Sequence, residues 1–149
     1  MVVLCFDLDG APVEAQRRAA AAATKFVESQ MRSTDQVAIA TSGSGKVKVL
    51  EDFTGDHDRL IGAIGHVQSS APTDGSGENG LLAATRMLAS IRGDMVLVYL
   101  SAGPIRILPV NPDSKIRIYV INISGLPSVG GPTLVLSPAA LFGFSAARK

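Results

Sequence analysis

Short apolar runs alternate with longer amphipathic stretches along this chain, and their order predicts its architecture. Val2–Phe6 is continuous and apolar, bounded by Asp7 and Gly10, the pattern of a strand buried on both faces. From Pro12 to about Met31 the apolar positions fall at helical spacing. Ala15, Ala19, Ala22, Phe26 and Val27 share a face, Pro12 suits the first turn and Glu14 favours the positive end of the dipole. Five consecutive alanines, Ala19–Ala23, allow such a helix to lie close to a sheet. Ser33-Thr34-Asp35 turns the chain into a second buried strand, Gln36–Ala40.

The next connection decides topology. Thr41-Ser42-Gly43-Ser44-Gly45 is too short to cross over to a parallel strand, and Lys46–Leu50 alternates polar with apolar residues. These two strands are expected to form an antiparallel hairpin, with the lysine-bearing strand at a sheet edge where charge blocks further pairing. Thr54–Asp58 leads into a helix through about Val67, with Leu60, Ile61, Ile64 and Val67 on one face. Asp52, Asp56 and Asp58 read as a helix-start cluster complementing its dipole. A polar loop, Gln68–Gly80, precedes a helix over Leu81–Ile91. Met95–Leu100 and Ile116–Ile123 read as further strands, Ile105–Val110 as an apolar segment broken by prolines, and Leu134–Leu136 as a candidate last strand. The expected fold is a doubly wound, mostly parallel α/β sheet with one antiparallel edge strand and helices on both faces, in a single domain over residues 1–149.

Composition narrows the partners. The chain has 149 residues, 46% of them hydrophobic and 18% charged, enough apolar surface for one folded core. Fourteen basic residues against thirteen acidic ones leave a net charge of +1, and the aromatics are two Tyr and five Phe with no Trp. Neither a basic field nor a stacking surface for nucleic acid is expected. No stretch approaches the roughly 20 apolar residues of a membrane span, and the start does not read as a signal peptide, so no membrane insertion is expected. The compartment is left open, export as part of a longer protein included. The single cysteine, Cys5, sits within the first apolar run and reads as a buried structural thiol.

In a doubly wound sheet ligands bind at the carboxyl ends of the strands, which singles out Asp7 and Asp9 at the end of the first strand. Two carboxylates on such a turn can ligate a hard divalent cation such as magnesium. The alternative reading makes Asp9-Gly10 a simple turn and Asp7 a helix cap. Other motifs carry less. Gly43-Ser44-Gly45-Lys46 lacks the flanking residues of a phosphate-binding loop and opens a strand. Gly75-Ser76-Gly77-Glu78-Asn79-Gly80 fits GxGxxG but follows a polar loop. His57 and His66 do not share a helix face, and no GxSxG elbow occurs.

Two resemblances follow from these residues. Phe6-Asp7-Leu8-Asp9-Gly10 resembles the first motif of haloacid dehalogenase-like hydrolases. That would make Asp7 a nucleophile and Asp9 an acid and base in a magnesium-dependent phosphohydrolase, with Thr41 or Ser42 as a second-motif hydroxyl. The likeness covers one strand and loop, and the expected hairpin departs from that family, as does Ser101-Ala102-Gly103 where an acidic pair is due. A wider likeness runs from about Val2 to Leu126. Asp35-Gln36-Val37-Ala38-Ile39, the hairpin, Val49–Leu60, Leu81–Leu88, Met95–Gly103 and Ile116–Leu126 resemble, in order, the bacterial von Willebrand factor A-related domains. The resemblance implies a Rossmann-like domain that binds a protein ligand, in adhesion or as a scaffold, often through a metal at the top of the sheet. Where that family has Asp-x-Ser-x-Ser, this chain has Asp7-Leu8-Asp9-Gly10-Ala11. Its expected threonine has no counterpart near Glu78, Asn79 and Gly80, and its later aspartate is replaced within Ser101–Gly103. The expectation is therefore a non-catalytic protein-binding domain with a vestigial metal site at Asp7 and Asp9, holding no cofactor or magnesium weakly. Its partner surface would be Asp7–Ala11, Thr41–Gly45, the Gly75–Gly80 loop and Ser101–Gly103.

Overall fold

The computed structural model describes residues 1–43, 46–68, 80–102 and 115–123. In chain order these form β1 (Val2–Asp7), α1 (Val13–Ser29), β2 (Val37–Gly43), β3 (Lys46–Thr54), α2 (His57–Gln68), α3 (Gly80–Ala89), β4 (Met95–Ser101) and β5 (Ile116–Asn122). The segments Gln68–Gly80 (beyond its two ends), Ile105–Val110 and Leu134–Leu136, with Ser44, Gly45 and Gly103, lie outside the described residues.

The described strands form one five-stranded sheet in the order β3-β2-β1-β4-β5. β1 pairs in parallel with β2 on one side and β4 on the other, and β5 continues in parallel beyond β4. Only the β2–β3 pair is antiparallel, which places the lysine-bearing strand at the edge as the short hairpin requires. β1 is central because its apolar side chains have a covered surface to meet on each face: Val3, Leu4, Cys5 and Phe6 are all buried.

Side-chain alternation divides the core in two. Leu4 and Phe6 face α1 and α2, in a cluster with Val37, Ile39, Leu60, Ile64, Val67, Val98 and Leu100. Val3 and Cys5 face α3, in a cluster with Ala38, Ala40, Leu81, Ala84, Leu88, Leu97 and Tyr99. Fully burying each Leu, Ile or Val of these clusters contributes about 1.5–3 kcal/mol.

The alanines of α1 are used as expected, with one change of phase. Ala15, Ala19, Ala20, Ala23 and Val27 are buried, whereas Ala22 and Phe26 lie at the margin. Ala20 and Ala23 replace Ala22 at the centre of the stripe because α1 also packs against α2, and that second neighbour rotates the covered arc. Three local readings change. β2 continues through Thr41, Ser42 and Gly43, because their backbones pair with Lys48, Val47 and Lys46 and the ladder overrides turn-like composition. β3 runs on to Thr54, past register irregularities opposite Val37, Ile39 and Ala40. Asp52 therefore lies in a strand and does not belong to a helix-start cluster. Asp56 does cap α2, its Oδ1 accepting the N–H groups of Asp58 at 3.0 Å and Arg59 at 3.3 Å.

Candidate functional site

The centre of the site follows from register. β1 lies between two parallel neighbours, and Asp7, its last residue, is matched with Ser42 on β2 and Ser101 on β4. Three oxygen-bearing side chains thus stand in one row across the carboxyl ends of three adjacent strands. The sheet order turns back at β1, so this row sits at a topological switch point, where doubly wound sheets bind ligands. Asp7 has the parity of Val3 and Cys5, on the α3 side of the sheet. Thr41, matched with Phe6, has the opposite parity, so of the two hydroxyls considered only Ser42 joins Asp7.

A side chain from one layer below completes the cluster. Tyr99, matched with Cys5, is buried in the α3-side core and directs its phenol at the row. Its hydroxyl donates to Asp7 Oδ2 at 2.9 Å, and Ser101 Oγ donates to the same oxygen at 3.1 Å. Ser42 Oγ lies 2.9 Å from Tyr99 Oη. The one proton of Tyr99 goes to Asp7, so the Ser42 hydroxyl donates to Tyr99. The Ser42 hydroxyl also lies beside the buried Cys5 thiol. The result is a directed chain, Ser42 to Tyr99 to Asp7, ending on a carboxylate that also receives Ser101. Such chains polarise cooperatively in a low-dielectric interior.

Burial governs the acid–base character of these groups. Desolvation raises the Asp7 carboxyl above its ordinary value of 3.8, and the nearby charge of Asp9 adds to this. The hydrogen bonds from Tyr99, Ser101 and the Asp9 backbone oppose the shift without cancelling it. Desolvation likewise pushes the Cys5 thiol up to about 12, so it is protonated and inert at neutral pH. The Tyr99 phenol is raised too, first by burial and then by the Asp7 charge, which keeps it a donor.

Asp9 takes a different place from Asp7. It opens a turn closed by the Ala11 N–H on the Leu8 carbonyl at 3.0 Å, with Gly10 at φ +69° in the position that favours glycine. Its backbone N–H holds Asp7, while its side chain is half-exposed on the turn. Asp7 does not cap α1: Pro12 occupies the cap position, where no side-chain hydrogen bond is made. His57 and His66 stand at opposite ends of α2, away from the row. Among the described residues no three His, Cys, Asp or Glu side chains come together as a metal-binding group.

One residue of the site, Tyr99, is not singled out by the sequence. Tyr99 was read only as part of a buried strand, although a phenol in an otherwise aliphatic run, two residues before Ser101, signals a polar end needing a partner. Gly80 is expected at the end of the Gly75–Gly80 loop of the partner surface. It begins α3, and a Cβ there would lie 2.6 Å from Tyr99 Oη and 2.7 Å from Ser42 Oγ. The helix reaches this close to the hydroxyls only because residue 80 has no side chain.

No protein-family model matches the sequence, and comparison with curated proteins finds no match. Solved structures do resemble it. The vWF domain of the type V pili tip protein Mfa5 from Porphyromonas gingivalis aligns at TM-score 0.50 and 21% identity, covering 70% of this chain and 38% of that one. An aerotolerance-related membrane protein from Bacteroides fragilis aligns at TM-score 0.58 and 16% identity, over 81% of this chain and 66% of that one. The SpRpn10 VWA domain aligns at TM-score 0.50 and 15% identity, over 99% and 82%. The fold is that of a von Willebrand factor A domain. The chain spans only 20% of the three-domain Mfa5 structure it also matches, so the vWA unit is one part of that longer protein. The antiparallel edge strand expected from the hairpin is β3 of this vWA fold, and the Asp7 row lies at the top of its sheet.

Two outcomes test this geometry. Gly80→Ala adds helix propensity of at most about 1 kcal/mol, but it forces a methyl against two fixed oxygens, an overpacking cost of about 1–3 kcal/mol. Chemical denaturation is expected to show a net loss of stability. The second concerns pH. Because its folded-state value is raised, Asp7 favours folding below its ordinary value of 3.8, and this contribution is lost as pH rises through the higher folded value. The non-titrating Asp7→Asn variant should therefore gain stability relative to the parent as pH rises from about 3.8 towards neutrality. Urea midpoints at several pH values measure this, and a decline across that window would refute the raised carboxyl.

Proposed function

We propose that this vWA domain is a non-catalytic protein-binding module of adhesion or scaffold type, with a vestigial metal site at Asp7 and Asp9. The observation that carries the reading is the saturation of Asp7 Oδ2 by two protein hydroxyls, Tyr99 and Ser101. Magnesium needs oxygen ligands with free lone pairs in near-octahedral array. The donors in this row are one carboxylate, already bonded, and two serine hydroxyls, one of them turned towards Tyr99. Asp9 lies on the turn and contributes its backbone N–H to Asp7. This set does not fit a resident divalent ion as it stands. The occurrence of a vWF domain in a pilus-tip protein supports a role in contacts with other proteins. No membrane-spanning helix occurs among the described residues.

The same hydrogen bonds weigh against the phosphohydrolase alternative, since two donors on one carboxylate oxygen occupy lone pairs a nucleophile would use. The antiparallel β2–β3 pair also follows the departure from that family noted in the sequence.

Thermal unfolding with millimolar magnesium or manganese tests the metal reading on the parent and on Asp7→Ala. A cation present at a hundred times its dissociation constant stabilises by about 2.7 kcal/mol, raising the midpoint of a domain this size by roughly 5–10 °C. No shift is expected; a shift in the parent that Asp7→Ala abolishes would show a working metal site. A phosphatase assay with Asp7→Asn as control tests the enzyme alternative. No metal-dependent turnover is expected, and turnover lost with the substitution would overturn the non-catalytic reading.

A further inference from the structure

The row Asp7, Ser42 and Ser101 is by chemistry a hard-cation donor set, one carboxylate and two hydroxyls on three adjacent strands in a single register. An oxygen already sits between two of them. Tyr99 Oη lies 2.9 Å from Asp7 Oδ2 and 2.9 Å from Ser42 Oγ, so it bridges the carboxylate to the neighbouring strand. We propose that the Tyr99 hydroxyl is a built-in substitute for the cation: its proton faces Asp7 as a metal charge would, and its oxygen ties Asp7 to Ser42.

Three observations carry this. Tyr99 is 1% exposed, so its ring is fixed in the core and its hydroxyl has little freedom to swing away. α3 is seated over the hydroxyl pair through Gly80, where any side chain would collide with Tyr99 and Ser42. The first residue of α3 and the bridging phenol are thus fitted to each other. Finally, no buried side-chain nitrogen or oxygen among the described residues lacks a hydrogen-bond partner, so the cluster is satisfied without an added ion. Tyr99 is a positioning residue that also sets selectivity, excluding a divalent cation and holding the start of α3 against the Asp7 row. The inference rests on the metal-free reading above and names the residue responsible for it.

Tyr99→Phe removes one oxygen and leaves the ring. Manganese binding to the whole chain, followed by electron paramagnetic resonance, is compared for the parent, Tyr99→Phe and Asp7→Asn/Tyr99→Phe. Saturable binding at least about tenfold tighter in Tyr99→Phe, lost again in the double variant, is the expected result. If neither the parent nor Tyr99→Phe binds manganese, the metal-free reading stands and the role of Tyr99 falls. If the parent already binds as tightly as the variant, both fall. A second measurement needs no change at Tyr99: the near-ultraviolet tyrosine band should shift to the blue in Asp7→Asn, as the phenol loses its charged acceptor. An unshifted band would overturn the bridge.

Discussion

A half-buried carboxylate at the end of the central strand must be satisfied, and much of the apical structure follows from that requirement. Asp7 ends β1, and β1 is hemmed by β2 and β4 in parallel register, so its nearest partners can come only from the matched rows of those strands. Ser101 supplies one hydrogen bond from the same row and Tyr99 a second from below. Leaving such a group unpaired would cost about 1–3 kcal/mol or more. The Ser42 hydroxyl extends the same solution across to β2, donating to Tyr99, which in turn donates to the charge.

The two faces of the sheet are built differently around this point. On one, α1 and α2 pack side by side over Phe6, Leu4 and Ile39, and small alanines let α1 come close. On the other, α3 lies over Cys5, Tyr99 and Leu97, and it begins at the glycine that touches the hydroxyl pair. The apolar core and the polar row therefore share one helix. Changes at Tyr99 or Gly80 should be felt both in stability and at the top of the sheet, whereas changes on the α1 face should be felt in stability alone.

Likeness to vWA domains in a pilus-tip protein and in an aerotolerance-related membrane protein is a likeness of fold at 21% and 16% identity. The site departs from the pattern that gave the family resemblance at the positions where an ion would be held. Ser101 stands in the segment where an aspartate was expected, Gly80 begins the helix whose preceding loop was expected to carry a threonine, and Tyr99 reaches into the space between them. On the proposed reading, Tyr99, Ser101 and Gly80 fit one another as a set that holds Asp7 through hydroxyls.

Much of the fold was legible in the chain. The apolar run Val2–Phe6, the alanine-rich helix, the short link before Lys46 and the helical spacing of Leu60, Ile64 and Val67 are local patterns, and each predicts its element without knowledge of the others. The link also determined that β2 and β3 pair antiparallel, because five residues cannot form a crossover. Tertiary structure decided what depends on neighbours distant in sequence. Thr41–Gly43 became strand because β3 offered a ladder, and Asp52 joined β3 for the same reason. The covered arc of α1 was set by α2 as well as by the sheet. Asp7 was recognisable as a candidate from its place after a buried strand, but its partners lie 35, 92 and 94 positions away, at Ser42, Tyr99 and Ser101. Hydrophobic periodicity reports which face of an element is covered; only the register between strands reports which polar atoms meet there.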